Sequence, residues 1–128
     1  MMSIRITLTS IVFVLLFCKT TFAQESKQMT RLARLVIDST QLESYQAFLK
    51  EEIATSLRVE PGVLTLYAVA EKNNPSHITI LEIYANEEAY KKHIQTPHFL
   101  KYKNGTKDMV KSLELIEVNP LIPTMKVK

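Results

Sequence analysis

Two ionisable residues, His93 and Glu82, fall where an apolar side chain would be ordinary. His93 shares a helical stripe with Ala89 and Tyr90, which turns its ring toward the interior. An imidazole there either hydrogen-bonds a carbonyl or serves a ligand as proton acceptor or donor, since its ordinary pKa near ~6.5 suits the second task. Glu82 interrupts an apolar strand, where a carboxylate needs a partner or a purpose. A salt bridge to Arg34 on the first strand is the plain reading, and acid–base work the functional one. Tyr67, Tyr84, Phe99 and Tyr102 either line an aromatic pocket or fill the core. His93 and His98 are five apart with Pro97 between them, whereas a helix-borne metal pair is spaced by three or four. No carboxylate stands at a matching offset, so no metal site is expected. His77, beside a turn, reads as a surface residue.

Composition narrows the chemistry further. The 128 residues suffice for one domain, and 46% apolar with 23% charged is ordinary for a globular chain. Gly62 and Gly105 are the only 2 glycines, which rules out Gly-rich phosphate loops and dinucleotide fingerprints. Residues 1–23 have the layout of a secretory signal peptide: a basic start to Arg5, an apolar run from Ile6 to Phe17, and small Thr21 and Ala23 before Gln24. That run is short of the roughly 20 residues a bilayer span needs, so the expected chain is exported, periplasmic or secreted, with no membrane segment after cleavage. A lipoprotein site at Cys18 is the lesser alternative, because bulky Phe17 sits where a small residue is wanted.

Cleavage removes Cys18, the sole cysteine, and with it thiolate catalysis, cysteine-bound zinc and iron–sulfur clusters. It also removes Arg5 and Lys19, leaving 14 basic against 13 acidic residues and a net charge of about +1. Nothing in that balance suggests nucleic-acid binding. Lys101, Lys103, Lys107 and Lys111 recur at spacings that suit one wet helix face.

The elements that must position His93 and Glu82 follow from periodicity. Residues 24–28 form a loose polar tail, and Met29 to Ile37 reads as a strand. Thr40 and Glu43 fit a capping box for a helix carrying Leu42, Tyr45, Leu49, Ile53 and Ser56, with Phe48 and Leu57 widening the stripe. Pro61-Gly62 stops it. A second strand runs from Val63 to Ala70, and Asn73 to Ser76 turns the chain into a third from His77 to Tyr84. Asn86 caps a helix reaching about Gln95, and Pro97 begins a second helical piece. Lys111 to Val118 is the fourth strand, and 119–128 a C-terminal tail.

The order β-α-β-β-α-β over 29–118 is the α+β, ferredoxin-like plan, with both helices on one face of an antiparallel sheet. Yet Val63 to Ala70 is apolar on both faces, and the third strand sets Ile78, Ile80 and Tyr84 on one parity against Leu81 and Ile83 on the other. Two helices cover only one face. The other is expected to meet its counterpart in a homodimer.

The stretch from Glu82-Ile83-Tyr84 through the acidic helix start to His93-Ile94-Gln95-Thr96-Pro97-His98-Phe99 resembles the signature of the antibiotic biosynthesis monooxygenase family, and Pro61-Gly62 fits it too. The resemblance spans about 29–118 and implies a dimeric α/β-barrel. It further implies oxidation of quinols or other small aromatics by O2 with no metal, haem or flavin cofactor. His93 would be the acid–base or substrate-binding group, His98 would shape the pocket, and Tyr84 would stand where the family usually has Trp. The haem-degrading branch of the fold uses an Asn on the first strand, a Trp at the position of His93 and a His at that of Lys103, so haem degradation is not expected. The alternatives are a non-catalytic barrel that binds a small hydrophobic ligand, and a cofactor-free isomerase using His93 and Glu82.

Overall fold

A computed structural model describes residues 27–122. The expected signal peptide, with Cys18, lies outside the described residues, as do the ends of both tails. The elements are β1 (Met29–Ile37), a 3-10 turn (Ser39–Gln41), α1 (Leu42–Val59), β2 (Val63–Glu71), β3 (Asn74–Tyr84), α2 (Glu87–His93), α3 (Pro97–Thr106) and β4 (Val110–Val118). The strands form one antiparallel sheet in the order β2-β3-β1-β4, which is the ferredoxin-like topology expected. No helix among the described residues is long and apolar enough to cross a membrane.

Two local expectations fail for physical reasons. The capping box at Thr40 is replaced by Asp38, whose Oδ1 accepts from the Thr40 backbone N–H at 3.0 Å and its hydroxyl at 2.8 Å. That makes a 3-10 turn, and α1 starts only at Leu42. The β2–β3 turn is also tighter: Glu71 pairs with Asn74, so Lys72 and Asn73 alone turn the chain and Pro75 lies within β3. Pro75 is tolerated because β3 pairs with β1 only from His77 onward.

The caps on the second half of the chain are as expected. Asn86 accepts from the Ala89 N–H at 2.8 Å, and Thr96 accepts from the Phe99 N–H at 3.3 Å with Pro97 opening α3. Gly62 is required by packing, since a Cβ there would lie 2.6 Å from the Ala89 Cβ. Its carbonyl also accepts from the Ala85 N–H at 2.8 Å. The turn after α1 is thereby clamped to the start of α2.

Strand register divides the side chains between two faces. Leu35, Ile37, Ile78 and Ile80 pack beneath Tyr45 and Leu49 of α1. On the opposite face the register aligns Leu32, Leu81 and Tyr67, with Val36, Ile83, Val69 and Ile116 on the same parity. No helix among the described residues covers this second face, and Tyr67 is 66% exposed. Leu57, expected to widen the buried stripe of α1, is 47% exposed as well.

Candidate active site

Along the helix-covered face, apolar pairs give way at one end to Arg31 and Glu82, which stand directly opposite each other on β1 and β3. The remaining polar groups come from above. Tyr45, Leu49, Glu52 and Ser56 form the buried stripe of α1, so the helix that supplies core at its start supplies a carboxylate and a hydroxyl near its end. Glu60 follows in the clamped turn, and His93 ends α2.

His93 is 3% exposed and lies between two carboxylates. Its Nδ1 is 2.9 Å from Glu60 Oε2, and its Nε2 faces Glu52 Oε1 at 3.4 Å. His98 Nε2 reaches the same Glu60 oxygen at 2.7 Å, and the Ser56 hydroxyl donates to Glu52 Oε1 at 2.7 Å. The rings of Phe99 and Tyr84 flank the imidazole at 5.0 and 5.4 Å.

The two carboxylates are driven apart. Burial would raise Glu60, but hydrogen bonds from His98 and His93 outweigh it and hold the group below the usual range. Burial dominates at Glu52 and pushes it up, against the Ser56 hydrogen bond and the nearby imidazoles. An ionised Glu60 can only accept, so Nδ1 of His93 carries the N–H toward it, and Nε2 is turned toward Glu52. A carboxylate that fixes the ring and tautomer of a buried histidine is the orienting arrangement found in acid–base dyads.

A cavity of about 550 Å³ opens beside His93, lined by Glu52, His93, Arg31, Glu82 and the rings of Tyr84, Phe99 and Tyr102. Burial raises Glu82 above the usual range in spite of Arg31 opposite. The Arg31 guanidinium lies 4.3 Å from the centre of the Tyr90 ring and donates through Nη2 to Glu117 at 3.2 Å. Its Nε–H is buried with no partner among the described residues. A buried unpaired donor is costly, so its place in a cavity wall marks it for a ligand oxygen.

The sequence profile described as antibiotic biosynthesis monooxygenase matches residues 29–105. The chain belongs to this family. A crystallised candidate antibiotic biosynthesis monooxygenase of Bacteroides thetaiotaomicron is similar at 65% identity and a TM-score of 0.79, over 80% of this chain and 97% of that one. A candidate monooxygenase of Lactobacillus acidophilus is 32% identical at a TM-score of 0.69, over 70% of this chain and 43% of that longer one. A third, from Nitrosomonas europaea, shares the fold at 17% identity, with a TM-score of 0.71 over 78% of this chain and 96% of that one. No curated protein matches.

Within this family member, the residues singled out from sequence do not all meet. His93, Glu82, Tyr84, Phe99 and Tyr102 line the cavity, and the Tyr102 hydroxyl lies 2.6 Å from that of Tyr45. Tyr67 does not line it, because the strand pleat turns it to the uncovered face. His98 is behind His93, on Glu60, rather than in the cavity wall. Arg34 pairs in register with Thr79 on the other face, so Arg31 is the cation opposite Glu82.

The two histidines cluster in spite of their spacing. The break at Thr96-Pro97 re-aims His98 so that both rings meet one carboxylate from a distant turn. Nor do the lysines share one helix face, since α3 ends at Thr106: Lys101 pairs with Glu51 at 2.6 Å, while Lys103, Lys107 and Lys111 edge the cavity. Glu52 was legible as a carboxylate at i+3 from Leu49 on an apolar stripe. Glu60 and Arg31 carried no comparable signal.

Proposed function

We propose that this chain is a cofactor-independent monooxygenase that oxidises a quinol-like or other small aromatic substrate with O2 beside His93. Family membership supports monooxygenase chemistry in general. The observation that carries the finer reading is the buried His93, fixed through Nδ1 by Glu60, with Nε2 turned toward Glu52, a second residue of the cavity wall.

In this mechanism His93 Nε2 takes the proton of a substrate hydroxyl, and the unpaired Nε–H of Arg31 stabilises the oxyanion left behind. The resulting anion is electron-rich enough to reduce O2. One oxygen atom enters the substrate and the other leaves as water with two hydrogens drawn from the substrate, so no external reductant is needed. Tyr84, Phe99 and Tyr102 supply the apolar wall that limits water, and Lys103, Lys107 and Lys111 at the edge favour an anionic form of the substrate. Glu82, held above its usual range, is a second proton store. The working form we propose is an exported homodimer joined through the uncovered sheet face around Tyr67 and Leu81.

Dissolved-oxygen consumption over a panel of quinols and polyphenols, with His93→Ala in parallel, tests the reading. Uptake above autoxidation that falls in the variant is expected. Ligand recovered unaltered after aerobic incubation would favour the binding barrel, and turnover that proceeds equally without O2 would favour an isomerase.

A further inference from the structure

Glu60, His93 and His98 offer a second chemistry, on the side of His93 that the proposed oxidation does not use. His93 Nδ1 and His98 Nε2 both point at Glu60 Oε2, at 2.9 and 2.7 Å, and the three atoms lie within 4.8 Å of one another. We propose that these three residues form a binding site for a divalent transition-metal ion of the zinc class.

Two imidazole nitrogens and one carboxylate oxygen suit zinc, cobalt or nickel and poorly suit magnesium or calcium. Ligand bonds of about 2.0–2.2 Å place neighbouring atoms of a tetrahedral site roughly 3.3–3.5 Å apart, so Glu60 Oε2 must withdraw from both nitrogens, and the nitrogens, which with it lie within 4.8 Å of one another, must take up that same spacing around the ion. Both ring nitrogens already face the one carboxylate oxygen that a shared ion would lie beside. Their backbones are also tied together. The Glu60 N–H donates to Ser56 O at 3.0 Å and its carbonyl accepts from Val63 at 3.1 Å, while the Thr96 hydroxyl donates to the His93 carbonyl at 2.7 Å just before His98.

The outer groups fit as well. A metal-bound histidine characteristically donates its other ring N–H to a carboxylate. His93 Nε2 faces Glu52 Oε1, and Ser56 holds that oxygen in place. Glu52, Glu60 and Glu82 also gather carboxylates at this end of the core against the single guanidinium of Arg31, a balance that a cation would offset.

The ion would not be the oxygen-activating centre. Only His93 of the three lines the cavity, so the metal would sit behind the ring. Its effect would come through the tautomer: with Nδ1 on the metal, Nε2 carries the proton and stops being a base. Resting on the function proposed above, this makes the metal a reversible inhibitor of oxygen uptake.

The test is a titration of tag-free, chelator-treated protein with Zn2+ by calorimetry and with Co2+ by visible absorption. One ion per chain is expected, with Co2+ bands of a four-coordinate site and no binding of Mg2+. His98→Gln should weaken zinc by at least about 100-fold and Glu52→Gln by about tenfold, with His77→Ala unchanged. If His98→Gln does not fold, the wild-type titration decides between binding and no binding without it. No saturable Zn2+ binding by wild type, or an affinity that His98→Gln leaves intact, would overturn the proposal. Zinc that binds as described yet leaves oxygen uptake unchanged would support the site and contradict the role of His93 as base.

Discussion

The two ends of the helix-covered sheet face are built from the same strands and the same helix, yet they are filled with opposite kinds of side chain. At one end Leu35, Ile37, Ile78 and Ile80 meet Tyr45 and Leu49, all buried. At the other, Arg31 and Glu82 replace the apolar pairs on β1 and β3, and Glu52, Ser56 and Glu60 replace them on and after α1. An apolar end gains stability by burial at about 25 cal/mol per Å². A polar end of the same volume contributes less and requires every group to be partnered. The fold therefore concentrates its buried ionisable groups in one place, around one imidazole at one end of the cavity, and leaves Arg31 Nε there without a partner among the described residues. That unequal division is the structural basis for placing chemistry at one end only.

Substitutions at the two ends should consequently fail in different ways. The largest expected effect is His93→Gln, which should lower oxygen-dependent turnover by about 10²–10⁴-fold while the far-ultraviolet dichroism stays near wild type. Ile37→Ala, at the apolar end and outside the cavity wall, should do the reverse: a loss of about 2–5 kcal/mol in denaturant unfolding, with residual folded protein still active. Loss of activity without loss of stability at Ile37 would break the comparison.

A third change lies outside both ends. Tyr67→Asp on the uncovered face should weaken self-association by at least about tenfold in sedimentation velocity and leave the monomer folded. Unchanged association would remove the sheet-face dimer.

The smallest effect concerns Glu82, and its sign follows from linkage. Burial raises its folded carboxyl above the ordinary value near ~4.3, so the folded state holds this proton more tightly than the unfolded state. Wild-type stability should fall as pH rises from that ordinary value through the raised one. Glu82→Gln should remove that fall and give a slightly higher Tm at neutral pH, the advantage vanishing under acid conditions. A lower Tm at neutral pH would mean that Arg31 more than compensates for burial.

The apolar end was the more legible of the two in sequence. Apolar runs bounded by turn residues located every strand, and helical spacing located the buried stripe of α1 through Tyr45 and Leu49, because burial restricts the residue types each element can carry. The inward placement of His93 followed from that same period. What spacing could not supply was pairing between elements. Glu60 reaches His93 only because Gly62 packs on Ala89, and Arg31 rather than Arg34 faces Glu82 only because of the register of β1 against β3. Tyr67 shows the same limit: its type suits a pocket, and one step of pleat carries it to the other face.

The coupling between Glu60 and His93 is read most directly by a double-mutant cycle in oxygen uptake, using Glu60→Gln, His93→Gln and both together. If Glu60 acts by orienting His93, the double variant should be no slower than His93→Gln alone. Losses that multiply would contradict that coupling, since the carboxylate and the imidazole would then act independently.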